Sequence, residues 1–196
     1  MKSTLEFVSS VFKLLQHTPS RFRAFCYRIV CPLYFESFGS GGRCHSGIKF
    51  GRPLSKVAIG RNAVLKHDIY FQTGKTSRII IGDDVLINTG CHIVAADNIE
   101  IGDRTSIAEY VSIRDQHHRH VPNIGVRDTG FIHEPIKIGK AVWVGRGCYI
   151  GPGTIIGDNS IVGANSVVKG SFPPNVLIAG APAVVKRVLG DNSNAN

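Results

Sequence analysis

A branched apolar residue returns at every sixth position through the second half of this sequence, and glycine almost always follows it. The series runs Ile138-Gly139, Val144-Gly145, Ile150-Gly151, Ile156-Gly157, Val162-Gly163 and Val168-Lys169-Gly170. Helices repeat at about 3.6 residues and strands at about two, so neither element alone generates this period. A six-residue repeat is that of a parallel β-helix, in which each hexapeptide makes one side of a coil. Three sides close a turn, so Ile138 to Ile156, eighteen residues, is one coil. The aliphatic residue points inward onto its counterparts in adjacent coils. The residue after it is small because it sits at a corner, where bulk meets the next coil and glycine accepts unusual backbone angles. The fifth position is small or branched as well: Val142, Cys148, Thr154, Ser160 and Ser166.

Earlier segments keep the beat. Ile59-Gly60 leads to Leu65, Ile81-Gly82 to Ile87 and Ile93, and Ile101-Gly102 to Ile107 and Ile113. Ile81 to Ile101 is twenty residues, one coil with a small bulge near Ala95–Asn98. Ile101 to Ile138 is thirty-seven, so nineteen extra residues enter after Ile113. The expected organisation is an all-β parallel β-helix over 46–182, a helical appendage over 1–45, a loop inserted over 114–135, and a C-terminal helical tail over 183–196.

Residues 1–45 lack the beat. Leu5, Val8, Val11, Phe12 and Leu15 fall at helical spacing, and Arg21–Val30, between Pro19 and Pro32, is a second candidate helix. No acidic residue lies between Glu6 and Glu36, whereas Lys13, Arg21, Arg23 and Arg28 do. Two readings stand: helices that cap the open end of the solenoid, or a peripheral anchor on anionic lipid. The net charge of +9 suits a polyanionic partner. Strands interleaving aromatic and basic residues, which single-stranded nucleic acid needs, are missing from the sequence. A phosphate-bearing small molecule or a membrane surface is therefore expected over nucleic acid. Five cysteines (Cys26, Cys31, Cys44, Cys91 and Cys148) show no metal spacing, and Cys91 and Cys148 sit at the small fifth position. Free thiols, no signal-peptide pattern and no membrane-spanning run give a cytoplasmic expectation, with contact at the inner membrane face as its extension.

The insert reads Arg114-Asp115-Gln116-His117-His118-Arg119-His120 and ends Phe131-Ile132-His133-Glu134-Pro135. A long loop on a smooth prism is usually functional. Its histidines are open to three readings: a general base, since imidazole titrates near neutrality; metal ligands; or a solvated polar loop.

Over about residues 55–190 the sequence resembles the hexapeptide-repeat acyltransferases, which are left-handed β-helix proteins. It is most similar to the branch holding galactoside, maltose and polysaccharide O-acetyltransferases. The resemblance rests on Ile138–Val144, on Ile150-Gly151-Pro152-Gly153-Thr154-Ile155-Ile156-Gly157-Asp158-Asn159-Ser160, and on the exit Pro173-Pro174-Asn175-Val176 through Pro182. It implies a catalytic histidine at a fixed distance beyond Ile107-Ala108-Glu109-Tyr110-Val111, which lands on His118, with His117 as its rival. Where related enzymes read Asp-His-x-His, this chain has Asp115-Gln116-His117-His118. The resemblance further implies acceptor contacts from Asn88, Asp115 and Trp143. For acetyl-CoA it implies Trp143, the small positions Gly145 and Ala164, and the cations Lys169, Lys186 and Arg187. Arg146 departs from the small polar residue common in the family after Trp-x-Gly.

The resemblance implies direct acetyl transfer from acetyl-CoA to a sugar hydroxyl of a surface glycan or its precursor. It needs no metal, and it implies a homotrimer with interfacial sites that the 114–135 loop closes. Alternatives are N-acetylation of an amino-sugar, a serine acceptor, a γ-class carbonic anhydrase-like zinc protein drawing on His92, His117, His118 and His120, and a non-catalytic scaffold.

Overall fold

The computed structural model describes residues 17–29, 35–51 and 56–190. They form a three-sided parallel β-solenoid with a helix at its first end. The sixfold beat becomes three stacks of inward side chains, one per face. Face A stacks Phe38, Ile59, Ile81, Ile101, Ile138, Ile156 and Phe172 in register. Face B stacks Cys44, Leu65, Ile87, Ile107, Val144, Val162 and Ile178. Face C stacks Phe50, Phe71, Ile93, Ile113, Ile150 and Val168. Nearly all are buried, so the hydrophobic effect acts along columns that run the length of the prism.

The corners hold a different logic from the one expected. Glycine follows the stacked residue because the next coil passes close by, and its backbone angles there are ordinary. A methyl group on Gly102 would lie 2.6 Å from the carbonyl carbon of Gly139 and 2.8 Å from the nitrogen of Lys140. The left-handed residue comes two places later: Asn62, Asp84, Arg104, Ala141 and Asn159 have φ between 52° and 58°. Asn and Asp tolerate that region better than other side chains do. The small fifth positions are buried, and their hydroxyls serve the backbone. Thr154 Oγ1 donates to the carbonyl of Gly151 at 2.6 Å, and Ser166 Oγ donates to that of Gly163 at 2.6 Å.

The solenoid begins at Ser37, nine residues before the expected boundary. Its first coil carries Phe38 and Cys44 at the stacking positions, which hides the aliphatic beat. Helix α1, Ser20–Ile29, corresponds to the second helix candidate; the first, around Leu5–Leu15, lies outside the described residues. Ala24 and Tyr27 are buried against the first coil, and the Tyr27 ring meets that of Phe35 at 5.8 Å. Arg23 is buried too, and its Nη1 donates to the carbonyl of Cys44 at 3.0 Å. The capping role is therefore what the inward face of α1 performs.

The expected helical tail is corrected. Ala183–Val188 is a strand paired antiparallel with Val176–Gly180, and it extends face B by one strand. Its β-branched Val184, Val185 and Val188 favour that state, and the open edge of face B supplies the backbone partners that a helix would leave unused.

Candidate active site

The insert leaves the prism at the corner between faces C and A, after strand Ser112–Arg114, and returns at Ile136–Ile138. It is a β-hairpin. Gln116–His118 pairs antiparallel with Phe131–His133, with His118 directly opposite Phe131 and His117 opposite Ile132. The His118 and Phe131 rings lie 4.4 Å apart and tilted by 40°. Successive side chains of a strand point to opposite faces. His117 and His118 therefore look in opposite directions and cannot serve one cleft together.

Asp115 sits at the root of the arm. It is fully buried, and its carboxylate accepts from the amides of Ala96 at 2.7 Å and Asp97 at 2.8 Å. Those amides belong to the bulge that makes the 81–101 coil twenty residues long. Burial pushes the carboxyl pKa up, and the two amides pull against that shift. The amide of Glu134 donates to the Asp115 carbonyl at 2.9 Å, which ties the returning strand to the same point. The expected role in acceptor binding is thus replaced by an anchoring one: both oxygens are occupied inside the wall. Asp115→Ala leaves two half-buried amides without their acceptors, at up to about 1 kcal/mol for each. The expected outcome is a lower melting temperature, with amide exchange accelerated first at Ala96 and Asp97.

Face B gathers most of the remaining candidates. Trp143 is 55% exposed and lies in register with Ser106 on one side and Ile161 on the other. The same outward column continues through Leu177 to Arg187. Arg187 is thus three strand spacings from Trp143, about 14 Å. Lys186 lies beside it, at the bulge of the last strand. Asn88 and Gly145 take equivalent places at the corner between faces B and C, each donating its amide to the next coil. Gly145 is buried, and its lack of a side chain answers the close approach of Ala164, whose nitrogen would be 2.6 Å from a methyl there. Ala164 is exposed. Lys169 follows strand Val167–Val168 and falls at the C–A corner, away from this column. Arg146 places its guanidinium 5.6 Å from the centre of the Tyr110 ring, a cation–π contact on the B–C corner.

The arm's corner is the vertex opposite face B. Within one chain the topology therefore does not bring His118 to Trp143. Among the described residues, no three His, Cys, Asp or Glu side chains group as metal ligands. The Cys91 and Cys148 thiols are buried; burial raises the pKa of Cys148 and pushes that of Cys91 up to about 11. Both therefore stay protonated and poorly nucleophilic. Phe131 was not among the candidates read from the sequence. Its signal is the Phe-Ile-His alternation of 131–133 facing Gln-His-His of 116–118.

A hexapeptide solenoid with one protruding arm defines the class, and comparison with known proteins supplies the family. The model described as bacterial transferase hexapeptide (six repeats) matches residues 135–170. The chain is 40% identical over 169 residues to the putative lipopolysaccharide biosynthesis O-acetyl transferase WbbJ of Escherichia coli, covering 82% of this chain and 78% of that protein. It is 38% identical over 140 residues to the galactoside O-acetyltransferase of E. coli, covering 69% of this chain. A crystal structure of a hexapeptide-repeat acetyltransferase from Vibrio cholerae, complexed with acetyl coenzyme A, matches with a TM-score of 0.62 and 32% identity. That match covers 68% of this chain and 71% of the other. The chain belongs to the hexapeptide-repeat acyltransferase family, and its solenoid is the left-handed one the resemblance implies. It spans 44% and 65% of the length of two of the curated relatives it matches.

Proposed function

We propose that this protein is an acetyl-CoA-dependent O-acetyltransferase acting on a sugar hydroxyl of a surface glycan or its precursor, with His118 as general base. The observation that carries the reading is the outward column of face B. An exposed indole at one end, a cation about 14 Å along and an apolar path between them suit an elongated thioester with phosphates at its far end. The Vibrio relative that binds acetyl coenzyme A supports it.

His118 takes the proton of the acceptor hydroxyl as that oxygen forms its bond to the thioester carbonyl carbon. Backbone N–H groups beside the groove stabilise the oxyanion. The C–S bond then breaks, and the imidazolium returns the proton to the departing sulfur. Phe131 fixes the imidazole plane. The buried thiols take no part, so no acyl-enzyme forms. Trp143, Ala164, Lys186 and Arg187 hold the acyl donor, with Lys169 reaching its phosphates from a neighbouring prism. Asn88 orients the acceptor. Because the arm springs from the vertex opposite face B, each site takes its base from one copy and its donor face from another, and a closed trimer satisfies this symmetrically. The cytoplasm supplies the donor.

Binding of acetyl-CoA to the folded chain alone raises its stability by about 2.7 kcal/mol at a hundredfold excess over Kd. A calorimetric scan with millimolar acetyl-CoA is expected to show a melting temperature several degrees higher. Incubation with sugar acceptors is expected to release free thiol and a hydroxylamine-labile ester. An unchanged melting temperature and no thiol release overturn the reading; a hydroxylamine-resistant product moves it to N-acetylation.

A further inference from the structure

The charge of this chain is concentrated. Residues 7–67 hold ten Lys and Arg against a single carboxylate, Glu36, so the entire formal net charge of +9 resides there and the two signs balance elsewhere. Glu36 itself is paired with Arg78 at 2.7 Å. The described part of this segment is α1, the first coil and the start of the second. Its field is felt locally: His45 is held below the usual imidazole range by burial and then by Lys66, His67, Arg23 and Arg43.

Helix α1 adds a second, independent observation. Its inward face, Arg23, Ala24 and Tyr27, is committed to the first coil. Its outward face carries Phe22, Phe25 and Ile29, which are 52%, 55% and 64% exposed. Spacings of three and four residues place them in one stripe along the helix. Arg21 is exposed at the head of that stripe, and Arg43 is exposed on the strand that α1 packs against. Among the described residues no helix is long and apolar enough to cross a membrane. An apolar stripe bordered by cations instead matches the interfacial zone of a bilayer, with acyl chains under the rings and phosphates around the guanidinium groups.

We propose that this end of the solenoid docks on an anionic lipid bilayer, with Phe22, Phe25 and Ile29 entering the interface and the surrounding Lys and Arg facing the headgroups. Charge complementarity selects this occupant. A second copy of the chain carries the same +9 on this end and is repelled. A nucleic acid meets the cations but gives the apolar stripe no reason to be exposed.

The test is flotation of the full chain with vesicles of phosphatidylcholine alone or mixed with phosphatidylglycerol. Binding is expected only to the mixed vesicles and is lost in high salt. Phe22→Ser with Phe25→Ser is expected to weaken it by about tenfold or more, with the melting profile of the free protein unchanged. Four results overturn the proposal: no flotation with either vesicle; binding that the double variant leaves intact; a double variant whose oligomeric mass falls, which assigns the stripe to a second copy; and a large loss of melting temperature in the double variant, which assigns the stripe to residues 1–16. Retention on RNA that competes fully with the vesicles and ignores the double substitution also overturns it, in favour of a polyanion.

Discussion

His118→Ala is expected to lower the proposed acetyl transfer about 100- to 10,000-fold while acetyl-CoA affinity stays within about twofold. The first figure is the usual contribution of a positioned general base. The second is expected because the proposed donor residues, Trp143, Lys186 and Arg187, lie on face B and the edge strand beside it and stay intact in this variant. Turnover and the donor Kd therefore separate in this variant. His117→Ala is the control. It removes a likewise exposed imidazole one residue away, on the opposite face of the hairpin, and is expected to change turnover by about threefold at most. Steady-state rates with a fixed acceptor, alongside calorimetric titration of CoA, check both. Loss of rate in His117→Ala with His118→Ala spared reverses the assignment, and loss of CoA binding in His118→Ala makes the residue part of the donor site.

Gly102→Ala is expected to cost about 3 kcal/mol or more, although it adds a single methyl group to a corner of the prism. The methyl would stand 2.6 Å from one backbone atom and 2.7 Å and 2.8 Å from two others, all in the corner of the following coil. Backbone there cannot move aside, because each coil is hydrogen-bonded to both neighbours; the amide of Gly102 itself donates to the carbonyl of Ile138 at 2.8 Å. Overpacking against a fixed wall ordinarily costs about 1–3 kcal/mol and more where relaxation is blocked. The contrast is Gly125→Ala in the arm. Nothing lies within 4 Å of a methyl there, so the cost is the strain of its φ of 85° alone, about 1–2 kcal/mol. Equilibrium unfolding in urea measures both. Equal losses would remove close coil approach as the reason for the corner glycines.

The sixfold beat makes the three columns legible where coils hold eighteen residues, as from Ile138 to Ile156, and the repeated Ile-Gly corner extends face A to Ile59, Ile81 and Ile101 across longer coils. The thirty-seven-residue gap made the arm legible in place and length. Other features depend on which atoms meet across coils, and spacing does not encode that. Asp115 looked like part of a ligand motif. Its role is set by two amides about eighteen residues earlier, which the bulge near Ala96 turns toward it. The corner glycines looked conformational, yet the left-handed burden falls on Asn62, Asp84 and Arg104. The first coil was invisible because Phe38 and Cys44 replace the aliphatic residue. The helical expectation for the last segment fails because six residues, Ala183–Val188, hold too few periods to reveal their type. The stripe of α1 becomes visible only in the structure, where Ala24 and Tyr27 occupy the inward face and Phe22, Phe25 and Ile29 face outward.

In the proposed assembly the base on the arm of one copy serves the donor column of another. Subunit mixing tests it most directly. His118→Ala removes the proposed base, and Ala164→Trp fills the exposed place beside Gly145 proposed for the donor. Each variant is expected to show little or no activity in its own assembly. Unfolding and refolding the two together in equal amounts redistributes them at random, and about one site in four then combines an intact arm with an intact face. The mixture is expected to recover about a quarter of the wild-type rate; a mixture no more active than its two components would mean that base and donor face belong to the same copy.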